Sequence, residues 1–171
     1  MTRNYGLNVQ LTDLDLLALR LGKVHCNLMS LEYLIRCFLT RVEGKDSVSD
    51  FPHVAGVGEQ VIATALTDYR SLGNLIRDFN SDAKRYDRDL ISDKIVALRD
   101  VLAHGRLGAT QIDEGFRLLK YKPPERGNVE VTWNVEVTKE WLEKQNLLVR
   151  QSISTAVTHS NFRFPGSIRM E

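Results

Sequence analysis

The chain is 171 residues long, 43% hydrophobic and 26% charged, the mix of a soluble globular protein and not of a disordered one. Twenty-three Lys and Arg against 22 Asp and Glu leave a net charge of +1. That balance excludes a histone-like protein that coats polyanions through many phosphate contacts, but leaves room for a small basic site.

The length fits one domain over residues 1–171, able to bury about 70% of its unfolded surface without a disulfide or a metal. Arg3 is followed by no apolar stretch, so no signal peptide is expected. No window approaches the roughly 18 apolar residues of a membrane span, and a soluble, cytoplasmic protein with no membrane partner is expected.

A first helix is expected over 12–43, with Thr12 as its cap and Asp13 and Asp15 in the first turn, where the helix dipole favours negative charge. Leu14, Leu17, Leu21, Val24, Leu28, Leu31, Ile35, Phe38 and Val42 alternate steps of three and four, a sustained heptad seam. Leu16, Leu19, Met29, Leu34 and Leu39 widen the apolar face, which points to packing inside a helical bundle. Cys26 and Cys37 fall on this helix about 16 Å apart, too far for a disulfide, and are expected as reduced, half-buried thiols. Glu32 and Arg36 form an i,i+4 ion pair.

Residues 44–58, with Pro52 and His53, read as a loop. A second helix is expected over 57–80, buried through Ile62, Leu66, Tyr69, Leu72, Ile76 and Phe79 and broken by the polar run 81–87. A third covers 88–106, buried through Ile91, Ile95, Leu98 and Leu102 and ended by Gly105 or Gly108. Strands over 115–122 and 129–137 form a hairpin around a longer loop at 123–128, with Val129, Val131, Trp133, Val135 and Val137 on one side. Thr138 caps a last helix over 139–157, and the chain from 158 on, with Pro165 and Gly166, reads as loosely held. The expected organisation is core helices in 1–110, hairpin and last helix in 111–160, and a tail at 161–171.

Most common catalytic constellations are missing. Cys26, Cys37, His25, His53, His104 and His159 make neither a CxxC pair nor an HExxH motif, and no phosphate loop or GxSxG elbow occurs. No metal or other cofactor is expected. What remains is the end of the third helix, where Arg99, Asp100 and His104 stand in the run Leu98-Arg99-Asp100-Val101-Leu102-Ala103-His104-Gly105. Asp100 and His104, at i and i+4, share a helix face and can hydrogen-bond, while Arg99 and His104 are about 140° apart. One helix therefore cannot turn both into one groove, but a two-fold interface brings the missing face from a second copy.

This stretch resembles the signature of HEPN domains, in which an Arg followed by a polar residue precedes a His by four to six residues. Here Arg99, Asp100 and His104 match it with four between. A second spacing, Arg20 to His25, lies in mid-helix with leucine after the arginine and reads as chance. The resemblance implies a mainly α fold, an HEPN-like antiparallel bundle of four to five helices with the β-hairpin inserted before the last helix. It implies a metal-independent endoribonuclease of toxin or phage-defence type that acts as a homodimer on RNA, alternatively a non-catalytic dimerisation or RNA-binding module. A cognate antitoxin or inhibitor is a possible partner. Where related toxins carry a tyrosine two residues after the histidine, this chain has Arg106, which places nucleotide transfer to that position in doubt.

In the implied roles Arg99 holds the scissile phosphate, His104 moves protons, and Asp100 orients His104. Trp133 and Trp141 are expected to pack the hairpin on the last helix and His25 to be packed in its helix, while Lys120, Lys122 and Arg126 serve either to steer RNA or only to keep an exposed hairpin soluble.

Overall fold

The alternating three- and four-residue steps fold as one long helix, α1 (Leu11–Val42), in the computed structural model, which describes residues 11–45, 56–109 and 115–165. Val24, Leu28, Leu31, Ile35 and Phe38 of the expected seam are buried, and Leu39 with them. Leu16, Leu19 and Met29 do not join the core; they are exposed. Leu19 and Met29 lie more than about 120° around the helix from the seam, beyond the arc that one helix can bury. His25 is exposed as well, not packed, for it sits about 90° from the same seam. The side chains of Thr12, Asp13 and Leu14 lie outside the described residues, as do 46–55 with Pro52 and His53. Neither cysteine forms a disulfide: Cys26 is exposed where half-burial was expected, and Cys37 is half-buried. Burial pushes the Cys37 thiol pKa up, against the opposing pull of Tyr33 and Arg41.

The second helix begins much later than expected: α2 spans Leu72–Arg85, and residues 56–71 are not helical. Arg36 supplies the reason over 65–70. Its guanidinium, 13% exposed, pairs with Glu32 at 2.9 Å as expected. It also donates to the backbone carbonyls of Ala65 (2.8 Å), Asp68 (3.2 Å) and Arg70 (2.9 Å). Those carbonyls are held by a side chain across the chain and so are not spent on helical bonds. Ile62 and Tyr69 of the expected stripe are consequently exposed, whereas Leu72, Ile76 and Phe79 are buried. Ser71 caps α2 by accepting from the Asn74 amide. The polar run does not break this helix, because Asp82 and Ala83 are buried within it.

The third helix, α3, spans Lys94–His104. Ile91 is buried but precedes the helix, its N–H and C=O both bonded to the Asn80 side chain at 2.9 Å. The buried row on α3 is Ile95, Leu98 and Val101, with Leu102 only half-buried.

A three-stranded antiparallel sheet in the order β1-β2-β3 comes next, built from β1 (Arg106–Ala109), β2 (Phe116–Tyr121) and β3 (Val131–Glu136). The first strand was not expected; at four residues it is too short to show alternation. The hairpin tip is tighter than a long loop. Glu125 and Asn128 exchange backbone bonds of 2.8 and 3.0 Å around Arg126 and Gly127, both at positive φ, the pattern of a two-residue type I′ turn. A bulge between Lys120 and Tyr121 pairs Lys120 with Trp133 and Tyr121 with Val131. Val129 and Val131 are thereby exposed, and only Val137 of the expected apolar side is fully buried.

The last helix, α4 (Lys139–Arg163), starts as expected, with Thr138 Oγ1 accepting from the Trp141 amide at 3.1 Å. It then runs past the expected end. His159 and Ser160, assigned to a loose segment, are buried, so α4 rather than a tail occupies 158–163. Residues 166–171 lie outside the described residues.

The molecule is mainly helical with one small sheet, and the chain divides into two compact units. One comprises 1–26 and 97–148, with Val24, Leu98, Val101, Leu118, Val137 and Leu142 buried. The other comprises 27–96 and 149–171, where Phe38 and Phe79 meet edge to face at 5.1 Å. Among the described residues no helix is long and apolar enough to cross a membrane.

Candidate functional site

Burying Ile95, Leu98 and Val101 turns the remaining side of α3 outward, and the motif residues lie there. Arg99 is exposed, and among the described residues no acidic side chain pairs with it. His104, on the last residue of the helix, has its side chain 63% exposed. Its Nε2 stands 3.8 Å from Asp100 Oδ1, a charge-interaction distance but too long for the expected hydrogen bond. The other carboxylate oxygen of Asp100 accepts from Lys120 Nζ on β2. Asp100 is therefore shared between the histidine and a lysine expected among the RNA-steering groups.

Gly105 directs the chain out of the helix. Its amide bonds the Val101 carbonyl at 2.7 Å, and a Cβ there would overlap that same oxygen and stand 2.9 Å from Leu118 Cδ1. A glycine thus lets the chain leave α3 and enter β1 flush against β2. Arg106 comes opposite Leu119, and Gly108 opposite Arg117. This register gathers Arg106, Arg117 and Tyr121 on one face of the sheet, with the Arg106 guanidinium 5.6 Å from the centre of the Tyr121 ring. Arg117 donates to Asn134 Oδ1 at 2.9 Å on that face. The opposite face carries Leu118, Lys120, Trp133 and Val135, which is why Lys120 reaches Asp100. Lys122 pairs with Glu130 at 2.6 Å. Two of the three expected steering cations are thus tied to carboxylates, and Arg126 stands at the turn.

The pairing of Arg106 with Tyr121 was not foreseen. The alternation of Arg117, Leu119 and Tyr121 was legible in the strand, but its partner strand was not. Also missed was His159, only 1% exposed, whose Nε2 lies 2.9 Å from Asp82 Oδ2 and whose ring stands 5.0 Å from Phe38 and 5.3 Å from Phe79. Trp133 and Trp141 are both half-buried, and the indole N–H of Trp133 is buried without a partner.

Chemically, the end of α3 offers an uncommitted guanidinium, an accessible imidazole and a carboxylate within about a turn of helix, beside an arginine- and tyrosine-bearing sheet face. Among the described residues no three His, Cys, Asp or Glu side chains gather to hold a metal ion. The chain matches no protein-family model, and no curated protein and no solved structure is similar enough to it to count as a match.

Proposed function

We propose that this chain is a metal-independent endoribonuclease of HEPN type, of the toxin or phage-defence kind, working as a homodimer in which each protomer contributes Arg99 and His104. The observation that carries the reading is that both side chains stand in solvent at the end of α3, with no acidic partner on Arg99 among the described residues. An arginine kept for a structural ion pair would be found in one. The roughly 140° between the two residues on one helix calls for a second copy to complete a cleft.

In the reaction, His104 takes the proton of a ribose 2′-OH, and the 2′-oxygen attacks the adjacent phosphorus. Arg99 holds the phosphate oxygens as charge develops on them. The bond from phosphorus to the 5′-oxygen breaks, and the His104 of the second protomer, carrying a proton, gives it to that leaving oxygen. The products are a 2′,3′-cyclic phosphate and a 5′-hydroxyl. DNA, without the 2′-OH, resists. Asp100 steadies His104, and Arg106 adds a cation beside the cleft. A cognate antitoxin or inhibitor would act without nucleotide transfer to position 106.

The test is cleavage of a mixed RNA pool in the presence of EDTA. Arg99→Ala and His104→Ala should each lose about 10²-fold or more in rate while keeping fold and oligomeric state. Variants that cut as fast as wild type overturn the assignment.

A second reading, an RNA-binding module without cleavage, is favoured by the sheet face of Arg106, Arg117 and Tyr121. It predicts RNA binding without cleavage by the wild-type chain, and weaker binding in Tyr121→Ala.

A further inference from the structure

The second unit contains a cleft of about 100 Å³ lined by Arg88, Asp89, Ser154, Thr155, Thr158 and His159, none of them part of the Arg99–His104 motif. We propose that this cleft binds a tetrahedral oxyanion that carries its own O–H, a hydrogen phosphate or the phosphate group of a monoester.

The donors come first. Arg88 lies in the segment joining α2 to α3, its guanidinium carbon 3.8 Å from the centre of the Phe162 ring, which fixes the plane of the fork. Ser154, Thr155 and Thr158 follow one another on α4 at i, i+1 and i+4, so their hydroxyls line one side of the cleft. A planar fork facing several hydroxyls is a phosphate-binding set.

The acceptors then narrow the choice. His159 forms the inner wall. Its Nε2 is engaged with Asp82 at 2.9 Å, while its Nδ1 is buried and has no hydrogen-bond partner. Asp89 adds a carboxylate at the same cleft. An anion with no proton of its own meets repulsion from Asp89. A hydrogen phosphate donates its O–H to Asp89 while Arg88 and the hydroxyls hold the remaining oxygens.

The experiment is a titration of the full chain with inorganic phosphate, sulfate and ribose 5-phosphate, followed by calorimetry and by amide chemical shifts. Phosphate should bind saturably and at least about tenfold tighter than sulfate, a difference set by the Asp89 carboxylate. Arg88→Ala should weaken phosphate by about tenfold or more. Asp89→Asn should narrow the gap between the two anions. Thr158→Val, an exposed near-isosteric change, should weaken phosphate several-fold with an unchanged thermal melt, which separates binding from any packing loss at Arg88. Ribose 5-phosphate binding as tightly as phosphate assigns a monoester; weaker binding assigns the free ion. Equal affinity for phosphate and sulfate, no saturation, or unchanged binding in both Arg88→Ala and Thr158→Val overturns the site.

Discussion

Lys120 on β2 holds one oxygen of the Asp100 carboxylate, whose other oxygen stands 3.8 Å from His104 Nε2. The carboxylate therefore ties the sheet to α3 and also faces the proposed proton-transfer group. The two roles separate in a pair of variants. Lys120→Met removes only the tie, whereas Asp100→Asn removes the charge facing His104 as well. If Asp100 orients His104, Asp100→Asn lowers RNA cleavage about tenfold more than Lys120→Met at similar thermal stability. Equal losses in the two variants would reduce Asp100 to a structural anchor.

Gly105 offers a sharper test of how α3 meets the sheet. A methyl group there overlaps the Val101 carbonyl oxygen, a backbone atom that cannot rotate away, and crowds Leu118. Gly105→Ala should cost about 1–3 kcal/mol, read as a lowered urea midpoint. Gly108→Ala, with nothing within 4 Å of the added carbon, should be nearly neutral. A Gly105→Ala chain as stable as wild type would mean that the helix end does not approach β2 this closely.

The His159–Asp82 pair lies in the core of the second unit, with Arg163 Nε 3.3 Å from the same carboxylate oxygen. Removing Asp82 leaves the buried His159 Nε2 without its partner. Asp82→Ala should therefore destabilise by about 3–5 kcal/mol in denaturant unfolding. The double change Asp82→Leu with His159→Phe should cost distinctly less than the sum of the single changes. Additive losses would show that the two side chains do not interact.

Asp68 links stability to acid. Burial raises its pKa, but the Arg70 amide, the Arg70 guanidinium and Arg36 together outweigh that and hold it below the usual carboxylate value. A depressed folded pKa contributes stability that is present above the unfolded value of about 3.9 and is lost as pH falls through the folded value. The thermal midpoint of wild type should thus exceed that of Asp68→Asn at pH 7, and the gap should close below about pH 4. A gap that stays constant as pH falls through the acid range would place the effect of the substitution elsewhere.

Local chemistry sufficed wherever one element carries its own signal. The heptad steps of α1, the Thr138 cap of α4, the i,i+4 pair of Glu32 and Arg36, and the strand alternation around Trp133 were all readable, because each depends on neighbours within a few turns or on one strand. The motif residues Arg99, Asp100 and His104 were equally visible as a spacing at a helix end. Tertiary structure decided the rest. Residues 57–71 have an apolar period that suits a helix, yet Arg36 from a distant part of the chain takes the carbonyls of Ala65, Asp68 and Arg70. The strand Arg106–Ala109 exists because Gly105 lets it lie against β2. His159 belongs to the core because Asp82, 77 positions away, gives its ring a partner. Whether Asp100 answers to His104 or to Lys120 likewise depends on a sheet contact 20 residues along the chain, and no pattern in the neighbouring residues encodes a distance of that kind.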